Sequence, residues 1–300
     1  MVSHRWWWGA LCCLVSACRD RAPQPQAAVH TDSSGTRPDP AVRADSGPPI
    51  PAAAPRRSFR PYALHGASDL RLLIDSLGPA GVTTILKLNR IDLARARAGD
   101  TLLVPESIED ELAFAPFPAA VSALDSVPRL IAVSQRVQAF GAYEHGKLVR
   151  WGPTSTGKAK TPTPNGLYFT NWKRKQTVST DNDEWLLKWY FNFENARGIS
   201  FHEYDLPGYP ASHACVRLLA DDAEWIYSWA RQWRLSRDAK SIVAYGTPVA
   251  VFGTYAHARP RPWRRVVDDI EAATIPPAEL DSVLAPHLPL IRARARPDST

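Results

Sequence analysis

Cys215 lies in the run Pro210-Ala211-Ser212-His213-Ala214-Cys215-Val216-Arg217-Leu218, and His202 stands thirteen residues upstream. A thiol flanked by two imidazoles and followed by an arginine has what acyl transfer through a thioester requires. Imidazole takes the thiol proton, and positive charge nearby favours the thiolate, which is the nucleophile. Thiol–imidazole pairs serve proteases, transferases and thioesterases alike, so this pattern alone leaves the reaction class open. A buried, inert cysteine is the plainer alternative. The polar neighbours Ser212, His213 and Arg217 argue against it, because inert cysteines sit among apolar groups.

The other three cysteines, Cys12, Cys13 and Cys18, fall in an N-terminal segment that reads as an export signal. Arg5 and His4 precede a run of twelve mostly apolar residues, Trp6 to Ala17. That run is shorter than the roughly 20 residues a bilayer span requires and fits a signal-peptide core. Its ending, Val15-Ser16-Ala17-Cys18, resembles a bacterial lipobox, which implies lipidation of Cys18 after cleavage; an ordinary cleaved signal is the alternative. Either way the mature chain is expected to be exported, and with Cys18 lipidated Cys215 is the thiol that remains. In an oxidising compartment a thiol with no disulfide partner calls for a chemical reason.

These groups need elements to position them. Residues 19–60 form a tether rich in Pro, Ala, Ser, Asp and Arg, with eight prolines between Arg19 and Arg57. Too little apolar surface is present there to offset ordering entropy, and its reach is on the order of 35 to 120 Å. Residues 61–106 read as a small α/β module, with helical spacing over Asp69–Leu77 and Thr83–Asn89 and a closing strand at Thr101–Pro105. Residues 106–126 read as a linker.

From Arg129 the texture turns to short β-type runs: Leu130–Val133, Arg136–Tyr143, Lys147–Trp151 and Gly166–Thr170. Turn signals at Glu144-His145-Gly146 and Pro164-Asn165-Gly166 separate them. Alternation is clearest from Gln135 to Phe140, and Ser241–Phe252 reads as a hairpin around Gly246-Thr247-Pro248. The fold class expected over 127–255 is therefore mainly β, a sandwich or barrel. One helix follows the cysteine motif, with Asp221 as its N-cap and Trp225, Trp229 and Trp233 on one apolar face. Residues 256–300 are a Pro- and Arg-rich extension in which Ala278–Leu284 forms a short helix. The net charge of +6 and pI of about 9.2 suit an anionic wall or membrane surface. No recognition helix or zinc-ligand spacing accompanies the arginines, so neither nucleic acid nor a metal is expected.

Thr161-Pro162-Thr163-Pro164-Asn165-Gly166, the upstream His202 and Ser212-His213-Ala214-Cys215-Val216-Arg217 together resemble the L,D-transpeptidases of bacterial cell walls, the YkuD-like catalytic domain. The resemblance covers about residues 129 to 253 and implies a β-sandwich acting without a cofactor. It implies Cys215 as nucleophile and His202 as proton donor and acceptor, with His213 auxiliary and Ser212, Ala214 and Arg217 shaping the site. Its implied substrates are peptidoglycan tetrapeptide stems, cross-linked 3→3 or joined to protein; a hydrolase or an inactive wall-binding lipoprotein are the rival readings. Two departures stand out. Ala214 replaces the family's usual glycine; if that position needs positive φ, the Cβ of Ala214 would cost roughly 1 to 2 kcal/mol, so a different local turn is expected. The interval from His202 to Cys215 is also short, and the loop Tyr204–Pro210 absorbs the change. Leu88-Asn89 and Ala98–Pro105 look like the C-terminal half of a LysM peptidoglycan-binding module. Gly66-Ala67-Ser68 departs from its front half, leaving glycan contact and a structural spacer as alternatives. Membrane attachment through Cys18, facing the periplasm or wall, completes the expectation.

Overall fold

Leu130-Ile131-Ala132-Val133-Ser134 is an apolar run without alternation, the pattern of a strand covered on both faces. In the computed structural model all five of its residues are buried. The structure describes residues 58–108, 110–179 and 184–295; the expected signal segment, Cys18 and nearly all of the tether lie outside them. None of the described helices is long and apolar enough to cross a membrane.

The chain opens with β1 (Phe59–Ala63), α1 (Ala67–Asn89) and β2 (Thr101–Pro105), the strands pairing antiparallel. Both helical spacings seen in the sequence are present, and Gly78 (φ 65°) before Pro79 kinks α1 between them. Proline removes a helical N–H and glycine adopts the left-handed turn without a Cβ penalty. Asn89 closes the unit: its Nδ2 donates to Ile85 O (2.9 Å) and Leu103 O (2.8 Å), and its Oδ1 accepts from Leu103 N (2.8 Å).

A five-stranded sheet follows, built from β3 (Leu130–Ser134), β4 (Ala139–Glu144), β5 (Lys147–Pro153) and β6 (Gly166–Phe169). Later in the chain β13 (Pro248–Phe252) inserts between β3 and β6, parallel to β3, giving the order β5-β4-β3-β13-β6. A second, four-stranded sheet contains β7 (Lys173–Val178), β8 (Leu186–Glu194), β9 (Ile199–Glu203) and β10 (Val216–Leu218), with β9 and β10 parallel. The helix α2 (Ala220–Trp229) comes next, and β11 (Arg234–Leu235) pairs with β12 (Ile242–Ala244). Ile131, Val133, Phe140, Val249 and Val251 of the first sheet meet Phe191, Phe193, Phe201, Val216 and Leu218 of the second. That layer is the sandwich core, and the mainly β expectation holds.

The other face of the five-stranded sheet is covered as well. Phe114, Phe117, Val121 and Leu124 pack there with Trp263, Ile275, Leu280, Leu284 and Ile291. The stretch expected as a linker and the C-terminal extension, with α3 (Pro277–Leu284) and α4 (Leu288–Arg294), are thus core-forming. Their apolar residues are sparse and spaced by short helical turns, which hides them from a window tuned to long elements.

Three further expectations change. Gln135 to Gln138 is a turn, not strand: Gln138 (φ 47°) sits in the left-handed region, and its buried amide bonds Gln135 O (2.7 Å) and Thr156 Oγ1 (2.8 Å). The 241–252 segment is no hairpin, since β12 and β13 pair with different partners. Asp221 is not the helix cap either. The helix starts from Leu219 without a side-chain cap and ends before Trp233; Trp225 and Trp229 stack at 4.7 Å on its half-buried flank, while Asp222, Ala223 and Ile226 face the core.

Asp222 turns inward because two cations wait for it. Lys87 Nζ lies 3.3 Å and Arg150 Nη2 2.7 Å from its Oδ1, and Asp222 and Lys87 are 0% and 1% exposed. Burial raises the Asp222 pKa, and the charges of Lys87 and Arg150 pull it back. Gly152 is required beside it, as a Cβ there would stand 2.2 Å from Asp222 Oδ2. Asp222→Ala removes the buried carboxylate that Lys87 and Arg150 share. Lys87 Nζ keeps its pair with Glu111 Oε1 at 2.5 Å, so the expected cost is about 1 to 3 kcal/mol, read as a lowered midpoint in thermal unfolding; an unchanged midpoint would contradict the assigned network.

Candidate functional site

Strands β9 and β10 run parallel with Phe201 beside Val216 and His202 beside Arg217. Side chains alternate along a strand. Phe201, Val216 and Leu218 enter the sandwich core, so Ser200, His202, Cys215 and Arg217 share the opposite face. Two elements that are distant in the chain therefore deliver the thiol and an imidazole to one side of one sheet. Cys215 and His202 line the same pocket with His213, Ser212 and Arg217, and Trp185, Leu187 and Tyr204 supply its apolar wall.

The thiol is half-buried. Ser200 Oγ is 3.4 Å from Cys215 Sγ, and the Gly198 carbonyl is 3.8 Å from it. His202 is 4% exposed, and its Nδ1 lies 2.9 Å from the carbonyl of Glu203. Only an N–H can serve a carbonyl, so the neutral ring carries its proton on Nδ1 and leaves the Nε2 lone pair available. Burial lowers the His202 pKa to about 4; the bond to Glu203 opposes this and the charge of Arg217 adds to it. At neutral pH the ring is an uncharged base.

His213 occupies a different setting at the solvent rim. Its Nε2 is 2.8 Å from Lys158 Nζ, and its ring lies 5.3 Å from that of Trp185. Lysine has only donors, so His213 accepts there. Arg217 spreads its guanidinium 4.4 Å over the Tyr204 ring, and its Nη1 reaches Asp205 O at 3.4 Å. Ser212 Oγ donates to Cys215 O at 2.5 Å, within the motif turn.

The Thr161–Gly166 segment braces that turn. Gly157 N donates to Thr163 Oγ1 (2.9 Å), which donates to Ala214 O (2.7 Å), and Thr161 Oγ1 donates to Ser212 O (3.2 Å). Ser155 Oγ accepts from Ala211 N (3.1 Å) and donates to Tyr209 O (2.7 Å). Sequence reasoning did not single out Thr163, Ser155 or Ser200. For Ser200 the signal was available, since it lies two residues before His202 on a strand and must share its face.

Ala214 has φ 84°, so the turn keeps the left-handed conformation despite a Cβ, and the expected different turn is corrected. Bonds from Thr163 and Ser212 on either side over-determine it. Ala214→Gly is expected to raise stability by about 1 kcal/mol with the pocket unchanged, measured as a higher unfolding midpoint; a lower midpoint would mean that the turn is unstrained.

Beyond the pocket, the module meets the loop joining β9 to the motif. Asp92 Oδ2 accepts from Leu206 N (2.8 Å), and Arg95 Nη2 pairs with Asp205 Oδ2 (2.5 Å).

Residues 128–251 match the family model of YkuD, the L,D-transpeptidase catalytic domain. No curated protein matches the chain. Among solved structures, an L,D-transpeptidase (Yku) from Stackebrandtia nassauensis is 25% identical over 45% of this chain and 58% of its own, with a TM-score of 0.35. An L,D-transpeptidase from Mycobacterium smegmatis is 20% identical over 42% and 59%, with a TM-score of 0.34. The LD transpeptidase LdtMt1 in complex with imipenem is 18% identical over 42% and 59%, with a TM-score of 0.33. The chain spans less than two thirds of the length of each of these three. The segment 128–251, which holds the Cys215 pocket, is thus similar to the YkuD L,D-transpeptidase catalytic domain.

Proposed function

We propose that this chain is an L,D-transpeptidase that acts on peptidoglycan tetrapeptide stems through a Cys215 thioester. The observation that supports this most is the placement of a buried, neutral imidazole and a half-buried thiol on one face of β9 and β10, inside one pocket. His202 Nε2 takes the thiol proton. The thiolate attacks the carbonyl that joins the L-centre of the third residue to the terminal D-alanine. Peptide N–H groups at Ala214 and Cys215 stabilise the tetrahedral oxyanion. The C–N bond breaks, the departing D-alanine amine takes the proton from His202, and a thioester remains. An acceptor amine then attacks it, passing its proton through His202; the new amide forms and the thiolate leaves as thiol. The energy of the cleaved amide is held in the thioester, so no nucleotide is needed. His213 and Arg217 shape the pocket around the stem.

A lipid at Cys18, the tether of 19–60 and glycan contact by 61–106 belong to the same proposal. They would hold the enzyme on a membrane facing the wall.

Incubating the full chain with tetrapeptide-bearing disaccharides and reading products by mass spectrometry tests the assignment. Dimers with loss of D-alanine are expected. Tripeptides alone would make it a hydrolase, and unchanged stems would leave a wall-binding protein. Imipenem is expected to leave a mass adduct on Cys215.

A further inference from the structure

A cavity of about 900 Å³ lies on the far face of the five-stranded sheet, between β1, β2, the 111–117 segment and the 262–274 segment. It shares no lining residue with the Cys215 pocket. Its walls are mixed, with Phe59, Leu103, Phe114, Phe117 and Val266 forming an apolar part and Ser58 and Thr274 a polar one. Arg90 also lines it, and that arginine is 2% exposed.

A buried guanidinium normally has a carboxylate partner, because an uncompensated charge in a poorly solvated place is costly. Among the described residues none forms an ion pair with Arg90. Its hydrogen bonds go to neutral carbonyls: Nε to Val137 O (3.0 Å) and Nη1 to Lys87 O (2.5 Å) and Leu88 O (3.4 Å). Nη2 carries none of these bonds. The indoles of Trp151 and Trp263 lie 5.2 and 5.5 Å from the guanidinium carbon; they replace part of its hydration and supply no counter-charge. Burial accordingly lowers its pKa to about 9, which leaves it a cation at neutral pH.

Two more observations point the same way. Trp263, which also lines the cavity, keeps its Nε1–H buried without a hydrogen-bond partner among the described residues. Arg90 itself holds φ 60° as the cap of α1, a strained position for a residue with a Cβ. The exposed carboxylates Asp268 and Glu271 line the cavity and disfavour a ligand with several negative charges.

We propose that this cavity binds an amphiphilic carboxylate, its head paired with Arg90 and its apolar body along Phe59, Phe114 and Phe117. A carboxylate matches the guanidinium fork, provides the missing counter-charge and leaves an acceptor lone pair for a nearby N–H. The site goes beyond the proposed acyl transfer and does not depend on it.

Dodecanoate below its micelle-forming concentration, titrated calorimetrically into the full chain, is the probe. One saturable site is expected, with dodecan-1-ol binding at least about tenfold more weakly because it lacks the charged head. Arg90→Gln should weaken dodecanoate by a similar factor. Because Arg90 is packed between two indoles, Ala115→Trp supplies an independent test: it fills the cavity from a half-buried wall position without touching the guanidinium and should abolish binding. Cys215→Ala should leave the affinity unchanged, which separates this site from the thiol. Absence of saturable binding, equal affinity for the alcohol, or full binding by Ala115→Trp would each overturn the proposal.

Discussion

Cys215→Ala is expected to abolish D-alanine release and cross-link formation while changing stability by no more than about 1 kcal/mol. The asymmetry follows from the site. Among the described residues no other thiol lies in the pocket to carry the thioester. The contacts that Cys215 Sγ makes with Ser200 Oγ and Gly198 O, at 3.4 and 3.8 Å, are long and weak, and the motif turn is held instead through the Ala214 and Cys215 carbonyls. Product analysis of intact stems, paired with a thermal melt of the same sample, checks both halves. A variant that folds and still turns over at the wild-type rate would remove the nucleophile assignment.

His202→Ala is expected to lower the rate by about 10² to 10⁴-fold, the usual span for losing a positioned general base. His213→Ala should do far less, since His213 sits at the solvent rim against Lys158 and Trp185. Reversed magnitudes would transfer the base role to His213. The pH dependence is a sharper signature. The His202 pKa is lowered to about 4 by burial, so the ring stays a competent base well below pH 6.5, and its acid limb in kcat/KM belongs near 4. Stability moves in the same window. Between roughly pH 6.5 and 4 the unfolded chain binds a proton that the native ring refuses, so native stability falls as pH drops through that interval, by on the order of 3 kcal/mol in total. Above pH 6.5 the ring is neutral in both states and this contribution is flat. His202→Gln should remove that part of the slope in melts recorded across the window. An unaltered slope would show that the ring is not held in its buried, neutral form.

Much of this site is written in residue type and short spacing. Cys215, His202 and the two-residue alternation of β9 and β10 are local, so the thiol and its neighbouring imidazoles are legible before any coordinates. The mainly β class is legible for the same reason, from closely spaced apolar runs separated by Gly-containing turns. What the sequence concealed depends on pairing at a distance. Gln138 alternates like a strand residue, yet its amide is used within a turn because Thr156 comes to meet it. Asp222 has the look of helix-cap acidity and is instead consumed by Lys87, 135 positions away. At Trp189 (φ 53°) the alternation of β8 fails, because a register shift between Lys188 and Phe191 spans that residue; a bulge leaves no fixed mark in composition. Thr163 looks like one of several turn threonines until its hydroxyl is seen to join Gly157 to Ala214.

The fastening of residues 58–95 to the sandwich has a practical consequence for where this protein can be divided. Lys87 plugs a buried carboxylate on α2, and Asp92 and Arg95 grip the loop that leads to the nucleophile. The stretch that matches the family model, 128–251, is therefore not by itself a unit of folding. Excised alone it would bare one whole side of its central sheet and leave Asp222 facing solvent, so a protease should find no ready nick between the two portions, and a working fragment must begin before β1 and run past α4.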